Sequence, residues 1–106
     1  MSGDALPKRF PDRDDVAAVR AAAEPLEPGQ TAEQMMRVAG RVLARRDMGK
    51  LVFLDVVDRS GRIQLFCQEN RAGAVDIDLG DIVGASGSPM KTKRGEPSLA
   101  VDELVL

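Results

Sequence analysis

The stretch LVFLDVVDRSGRIQLFCQ, residues 51–68, decides the fold. In its second half Ile63, Leu65 and Cys67 alternate with Arg62, Gln64, Phe66 and Gln68, the period of two expected of a strand with one buried face. The first half is apolar on both sides, with Val52, Leu54 and Val56 on one and Leu51, Phe53 and Val57 on the other. Between them Asp58, Arg59, Ser60 and Gly61 read as a hairpin turn, with Gly61 as the permissive residue. Pairing through that turn sends Val52, Leu54, Val56, Ile63, Leu65 and Cys67 to the core. Phe53, Gln64 and Phe66 are left on the opposite face.

Upstream of this hairpin, VAGRVL at 38–43 alternates Val38, Gly40 and Val42 with Ala39, Arg41 and Leu43, and its small residues permit the strong bend of a small barrel. A turn around Asp47, Met48 and Gly49 joins it to residue 51. Downstream, ENRAGAVDIDLG at 69–80 reads as a short polar connection. DIVGASG at 81–87 is a fourth strand, in which Gly84 and Gly87 allow close approach or curvature. PMKTKRGEP at 89–97 is a basic hairpin tip turning at Gly95, and SLAVDELVL at 98–106 is a fifth strand.

Ahead of the strands, Asp12 is placed to cap a helix in which Val16, Val19 and Ala23 share a face, Asp14 and Asp15 sit at the favourable end of the dipole, and Pro25 ends the run. Thr31 with Gln34 resembles a capping box and predicts a short second helical turn through Met36. The expectation is a mainly β chain: residues 1–36 form an N-terminal extension with one or two short α-helices, and residues 37–106 supply five strands. Five strands fit an open antiparallel sheet or a closed barrel. Their short spacing, internal glycines and meandering order favour the barrel, whose common five-stranded form is the OB-fold.

The 106 residues allow one core, and 43% apolar content is ordinary for a folded domain. Aromatic content is 3%, confined to Phe10, Phe53 and Phe66, so a phenylalanine on an outward face stands out. The formal charge of -2 argues against wrapping duplex DNA. Charge is unevenly spread, however: Arg37, Arg41, Arg45, Arg46 and Lys50 face one acid, Asp47, whereas Glu69, Asp76, Asp78 and Asp81 face only Arg71. With one cysteine, Cys67, and no histidine, neither an intrachain disulfide nor a structural zinc site nor a histidine-based catalytic triad is expected. No phosphate loop, metalloprotease helix or nucleophile elbow occurs, so no catalytic residue and no cofactor of the chain itself is expected. The opening MSGDALPKRF has no apolar run of a signal peptide, and no stretch nears the roughly 18 apolar residues of a membrane span, which makes a cytoplasmic location the expectation.

Two outward rings beside an amide suit unstacked bases, each worth roughly 1–3 kcal/mol when it lies on an aromatic ring. Gln64 would read a base edge, and Arg41, Arg45, Arg46 and Lys50 would contact bases or phosphates from the neighbouring strand end. Lys91, Lys93 and Arg94 with Glu96 would grip the strand from the loop between strands four and five. A second outcome is open at this point: the N-terminal helix, which must bury its Val/Ala stripe somewhere, could cover Phe53 and Phe66.

The segment VAGRVLARRDMGKLVFLDVVDRSGRIQLFCQ closely resembles the first three strands of the anticodon-binding OB domain shared by lysyl-, aspartyl- and asparaginyl-tRNA synthetases. DLGDIVGASGSPMKTKRGEPSLAVDELVL resembles the lysyl branch in particular, through DLGDIxGAxG followed by KTKxGExS, and LPKRFPDRDD is similar to the lead-in of that branch. The resemblance implies that Phe53 stacks on the central anticodon uridine, Gln64 bonds that base or a neighbour, Arg46 contacts base or backbone, Phe66 stacks on a neighbouring base and Glu96 lies near the wobble position. It further implies a partner, the anticodon stem-loop of a lysine tRNA, and a class II catalytic domain, homodimeric in the parent enzyme, where ATP and Mg2+ would be used. Two departures stand out. The connection after strand three is shorter than is typical, which leaves room for an open barrel edge, and Pro97 replaces an apolar residue after the Gly-Glu pair, which puts the start of strand five and the position of Glu96 in question. The alternative is a stand-alone OB protein that binds single-stranded nucleic acid without regard to sequence.

Overall fold

The computed structural model describes residues 13–68 and 77–105. One helix, α1 (Val16–Ala23), precedes five strands: β1 (Met36–Met48), β2 (Leu51–Asp58), β3 (Gly61–Gln68), β4 (Ile82–Lys91) and β5 (Pro97–Val105). They close into a barrel in the order β1-β2-β3-β5-β4, with β4 returning to β1. All contacts are antiparallel except β3 with β5, which run parallel over three residue pairs, Gln64 with Ser98 to Phe66 with Ala100. This is the OB arrangement expected from the strand pattern, and the barrel has no open edge. Pro97 is tolerated because it stands at the first position of β5, where a missing N–H costs least.

The alternation in β2 and β3 fills the barrel as its period requires. Leu54, Val56 and Leu65 are fully buried, as are Cys67 and Leu99, and Val52 and Ile63 are nearly so. Burying each Leu or Ile side chain contributes roughly 1.5–3 kcal/mol. The long β1 bends through a bulge between Val42 and Ala44, which lets one strand pair with β4 over its first half and with β2 over its second. Gly87 lies at the β4 irregularity so close to β5 that an added Cβ would fall 1.9 Å from the Ala100 carbonyl oxygen. No side chain fits there.

Helix α1 buries Val16, Val19 and Ala23, as the spacing predicts, against β3, β5 and β4. Its start differs from the expectation, since Asp12 lies outside the described residues and the adjacent Asp15 makes no side-chain cap. The β2–β3 turn does that work: Asp58 Oδ2 accepts from the Val16 N–H at 3.0 Å and Ser60 Oγ from the Ala17 N–H at 3.0 Å. Asp58 also accepts from Ser60 and Gly61 within the turn. Partial burial works to raise its pKa, but the bonds from the Ser60 hydroxyl and the Val16, Ser60 and Gly61 amides prevail and hold the carboxyl below the usual aspartate value.

The second helical turn expected from Thr31 to Met36 does not form. Residues 30–32 run beside the end of β4, where Thr31 bridges Met90 and the Ala32 N–H donates to the Pro89 carbonyl, while Gly29, in the preceding turn, donates its N–H to the Lys91 carbonyl. A strand edge offers these amides partners at once, and that outweighs a cap signal with no apolar helical face behind it.

Candidate nucleic-acid interface

Register places one residue from each of three strands in a row across the outer face: Arg46 of β1 opposite Phe53 of β2, and Phe53 opposite Phe66 of β3. The two rings meet edge to face, centroids 5.4 Å apart and planes at 75°. The Arg46 guanidinium carbon is 5.2 Å from the Phe53 centroid, within range of a cation–π contact. Both rings are half-buried. Helix α1 meets the β2–β3 turn, where the Val16 and Ala17 amides bond to Asp58 and Ser60, and neither ring is sealed from solvent.

The next row along the sheet is polar. Gln64 lies between Asp55 of β2 and Ser98 of β5. Its Oε1 accepts from Arg46 NH2 at 2.8 Å, and its Nε2 donates to Ser98 Oγ at 3.0 Å. Ser98 in turn donates to the Glu96 carbonyl at 3.2 Å. Beside this row opens a cleft of about 500 Å³, lined by Arg20, Arg46, Asp55, Arg62, Gln64 and Glu96 among others. Arg62 pairs with Asp55 at 3.0 Å, and Arg20 reaches both the Arg62 carbonyl, at 3.2 Å, and the Glu96 carboxylate, at 3.8 Å. The face thus combines flat apolar rings, a buried amide and guanidinium groups.

The family model for the OB-fold nucleic acid binding domain of the tRNA anti-codon type matches residues 36–106. The chain belongs to this family. Curated relatives of this OB-fold nucleic acid binding domain include the lysine–tRNA ligase of Dehalococcoides mccartyi, 42% identical over 102 residues that make up 91% of the chain and 20% of the relative. The lysine–tRNA ligase of Dechloromonas aromatica is 41% identical over 93% of the chain and 22% of its own length. The chloroplastic/mitochondrial lysine–tRNA ligase of Arabidopsis thaliana is 49% identical over 61% of the chain and 12% of its own length. The chain therefore spans about a fifth of the length of the first two ligases.

Within this OB domain, the residues singled out from the sequence separate into two groups. Arg46, Phe53, Gln64 and Phe66 come together on the outer face, and Glu96 lines the adjoining cleft. Lys50 is exposed in the β1–β2 turn, and Lys93 and Arg94 are exposed at the β4–β5 turn, which Thr92 closes through bonds with Glu96 and Gly95. Arg41, Arg45 and Lys91 are engaged elsewhere. Arg41 donates to the Gly80 carbonyl at 2.8 Å, Arg45 to the Ile77 carbonyl at 2.6 Å, and Lys91 to the Glu24 carbonyl at the C-terminal end of α1.

Gln64 faces outward by parity but is only 7% exposed, enclosed by the arginine on one side and the serine on the other. Sequence reading missed Ser98, Arg20, Arg62 and Asp55 as neighbours of the site. Ser98 had a signal: it is a small polar residue in an apolar strand at the same parity as Ala100. Its pairing with Gln64 depends on the parallel β3–β5 contact, which local pattern does not encode.

Cys67, on the inner side of β3, is wholly enclosed. Burial pushes its thiol up to about 12 against the opposing pull of Arg45, so it is an inert core residue at neutral pH.

Proposed function

We propose that this OB domain recognises the anticodon of a lysine tRNA as the anticodon-binding part of a lysine–tRNA ligase. The observation that carries the reading is the row Arg46–Phe53–Phe66 with Gln64 beside it: an accessible pair of rings, a cation over one of them and an amide at hydrogen-bond distance from that cation. Phe53 and Phe66 receive splayed bases, Gln64 and Arg46 bond to base edges, and Glu96 lies where an adjoining base amino group would reach it. Lys50, Lys93 and Arg94 contribute salt-dependent attraction to phosphates. The close relatives named lysine–tRNA ligase support the choice of tRNA. In this reading, lysine activation with ATP and Mg2+ and subunit pairing belong to the parts of such ligases that the chain does not span, and the chain itself aminoacylates nothing.

The test is titration of the 106-residue chain with a stem-loop carrying a lysine anticodon and with loops of scrambled sequence, followed by amide chemical shifts. Preferential binding of the lysine loop, with shifts centred on β1, β2 and β3, is expected. Equal binding of all loops would overturn anticodon recognition and point to sequence-blind capture of single strands.

A further inference from the structure

We infer that Ser98 is a positioning residue that decides which pyrimidine the face accepts, by locking the Gln64 amide in one orientation; this rests on the reading of that face as an anticodon site. Gln64 and Ser98 are the two buried polar residues among the described ones, at 7% and 0% exposure, and they face each other across β3 and β5. Burial makes each of their hydrogen bonds obligatory, because a stranded polar atom there has no water to turn to.

The directions of the bonds leave the amide one choice. Ser98 Oγ spends its only proton on the Glu96 carbonyl and so presents lone pairs to Gln64. The Arg46 guanidinium can only donate. Nε2 must therefore face the serine and Oε1 the arginine. Turning the amide by half a rotation would set N–H against N–H at Arg46 and lone pair against lone pair at Ser98. What remains for a ligand is one N–H on Nε2 and one lone pair on Oε1, in a fixed order.

That order matters because stacking is blind to it. A ring accepts uracil and cytosine alike, since both offer a π face. Their edges are opposed: uracil presents an acceptor at position 4 and a donor at position 3, whereas cytosine presents a donor and then an acceptor. A freely turning amide would satisfy either base. A locked one satisfies one and opposes the other, and Ser98 is the part of the lock that does not itself face the cleft.

The experiment compares the wild-type chain with Ser98→Ala and Ser98→Thr, using two anticodon stem-loops that differ by a single uridine-to-cytidine change. The wild type is expected to prefer one loop, and Ser98→Ala to lose about tenfold of that preference, about 1.4 kcal/mol, with the salt dependence unchanged. Ser98→Thr keeps the hydroxyl and is expected to keep the preference. A serine that merely supports the strand would weaken both loops equally, so an unchanged ratio in folded Ser98→Ala overturns the assignment. If the wild type binds neither loop in preference to scrambled RNA, the anticodon reading falls and the inference with it.

Should Ser98→Ala fail to fold, proton exchange of the Gln64 side-chain amide in the free wild type decides. One slowly exchanging Nε2 proton is expected, and two fast ones overturn the lock.

Discussion

Arg45 and Arg46 are neighbours in sequence, yet they serve different regions of the molecule. Arg46 turns to the outer face, over the Phe53 ring and onto Gln64. Arg45 turns the other way, to Asp47 and the Ile77 carbonyl, while Arg41 holds the Gly80 carbonyl four residues earlier. One arginine lies on the outer face beside the two rings. The other two fasten the backbone at 77–80, which leads into β4, against β1. A run of basic residues on a strand is therefore no unit of function, because strand parity splits it.

The sharpest way to break this contrast is to remove the ring on which Arg46 lies. Phe53→Ala is expected to weaken binding of the lysine anticodon loop by roughly 1–3 kcal/mol while leaving a cooperative thermal transition. Loss of that transition would show that the ring belongs to the core and not to the face. Arg46→Ala should cost about 1–2 kcal/mol of binding and shallow the salt dependence by about one unit, read from titrations at several salt concentrations. Arg45→Ala is expected to do the reverse: about 1 kcal/mol of stability lost in denaturant titration, through the stranded Ile77 carbonyl, with binding little changed. Equal binding losses in the two arginine variants would erase the distinction.

The smallest expected effect concerns Asp58, whose turn holds α1 on the barrel away from either arginine. Its native pKa lies below the ordinary aspartate value, so the stabilisation it supplies is complete above that value and fades as pH falls toward the native one. Thermal melts between about pH 5 and about pH 3 should show a decline that is shallower in Asp58→Asn. The same slope in both proteins would mean that other carboxylates govern acid unfolding.

Much of this was legible in residues 51–68, because a hairpin is local: the period of two and one Gly-containing turn fix which side chains meet, and Phe53, Phe66 and Gln64 fell where parity put them. The helical stripe of Val16, Val19 and Ala23 was legible for the same reason. What escaped depends on contacts between distant parts of the chain. The helix cap comes from Asp58 and Ser60, more than forty residues downstream of α1 in sequence. The path of residues 30–32 answers to the end of β4, and the capping-box signal at Thr31 was overridden by it. The destinations of Arg41 and Arg45 are carbonyls more than thirty residues away, and no pattern in VAGRVLARR points to them.

The parallel contact of β3 with β5 spans only three residue pairs, the briefest joint between neighbouring strands of the barrel. Gln64 and Ser98 sit in that joint. Were that joint to part, Ser98 would leave Gln64 while Phe53, on β2, kept its place beside Arg46. If the face takes bases as proposed, warming would dull its choice between them before it loosens its hold.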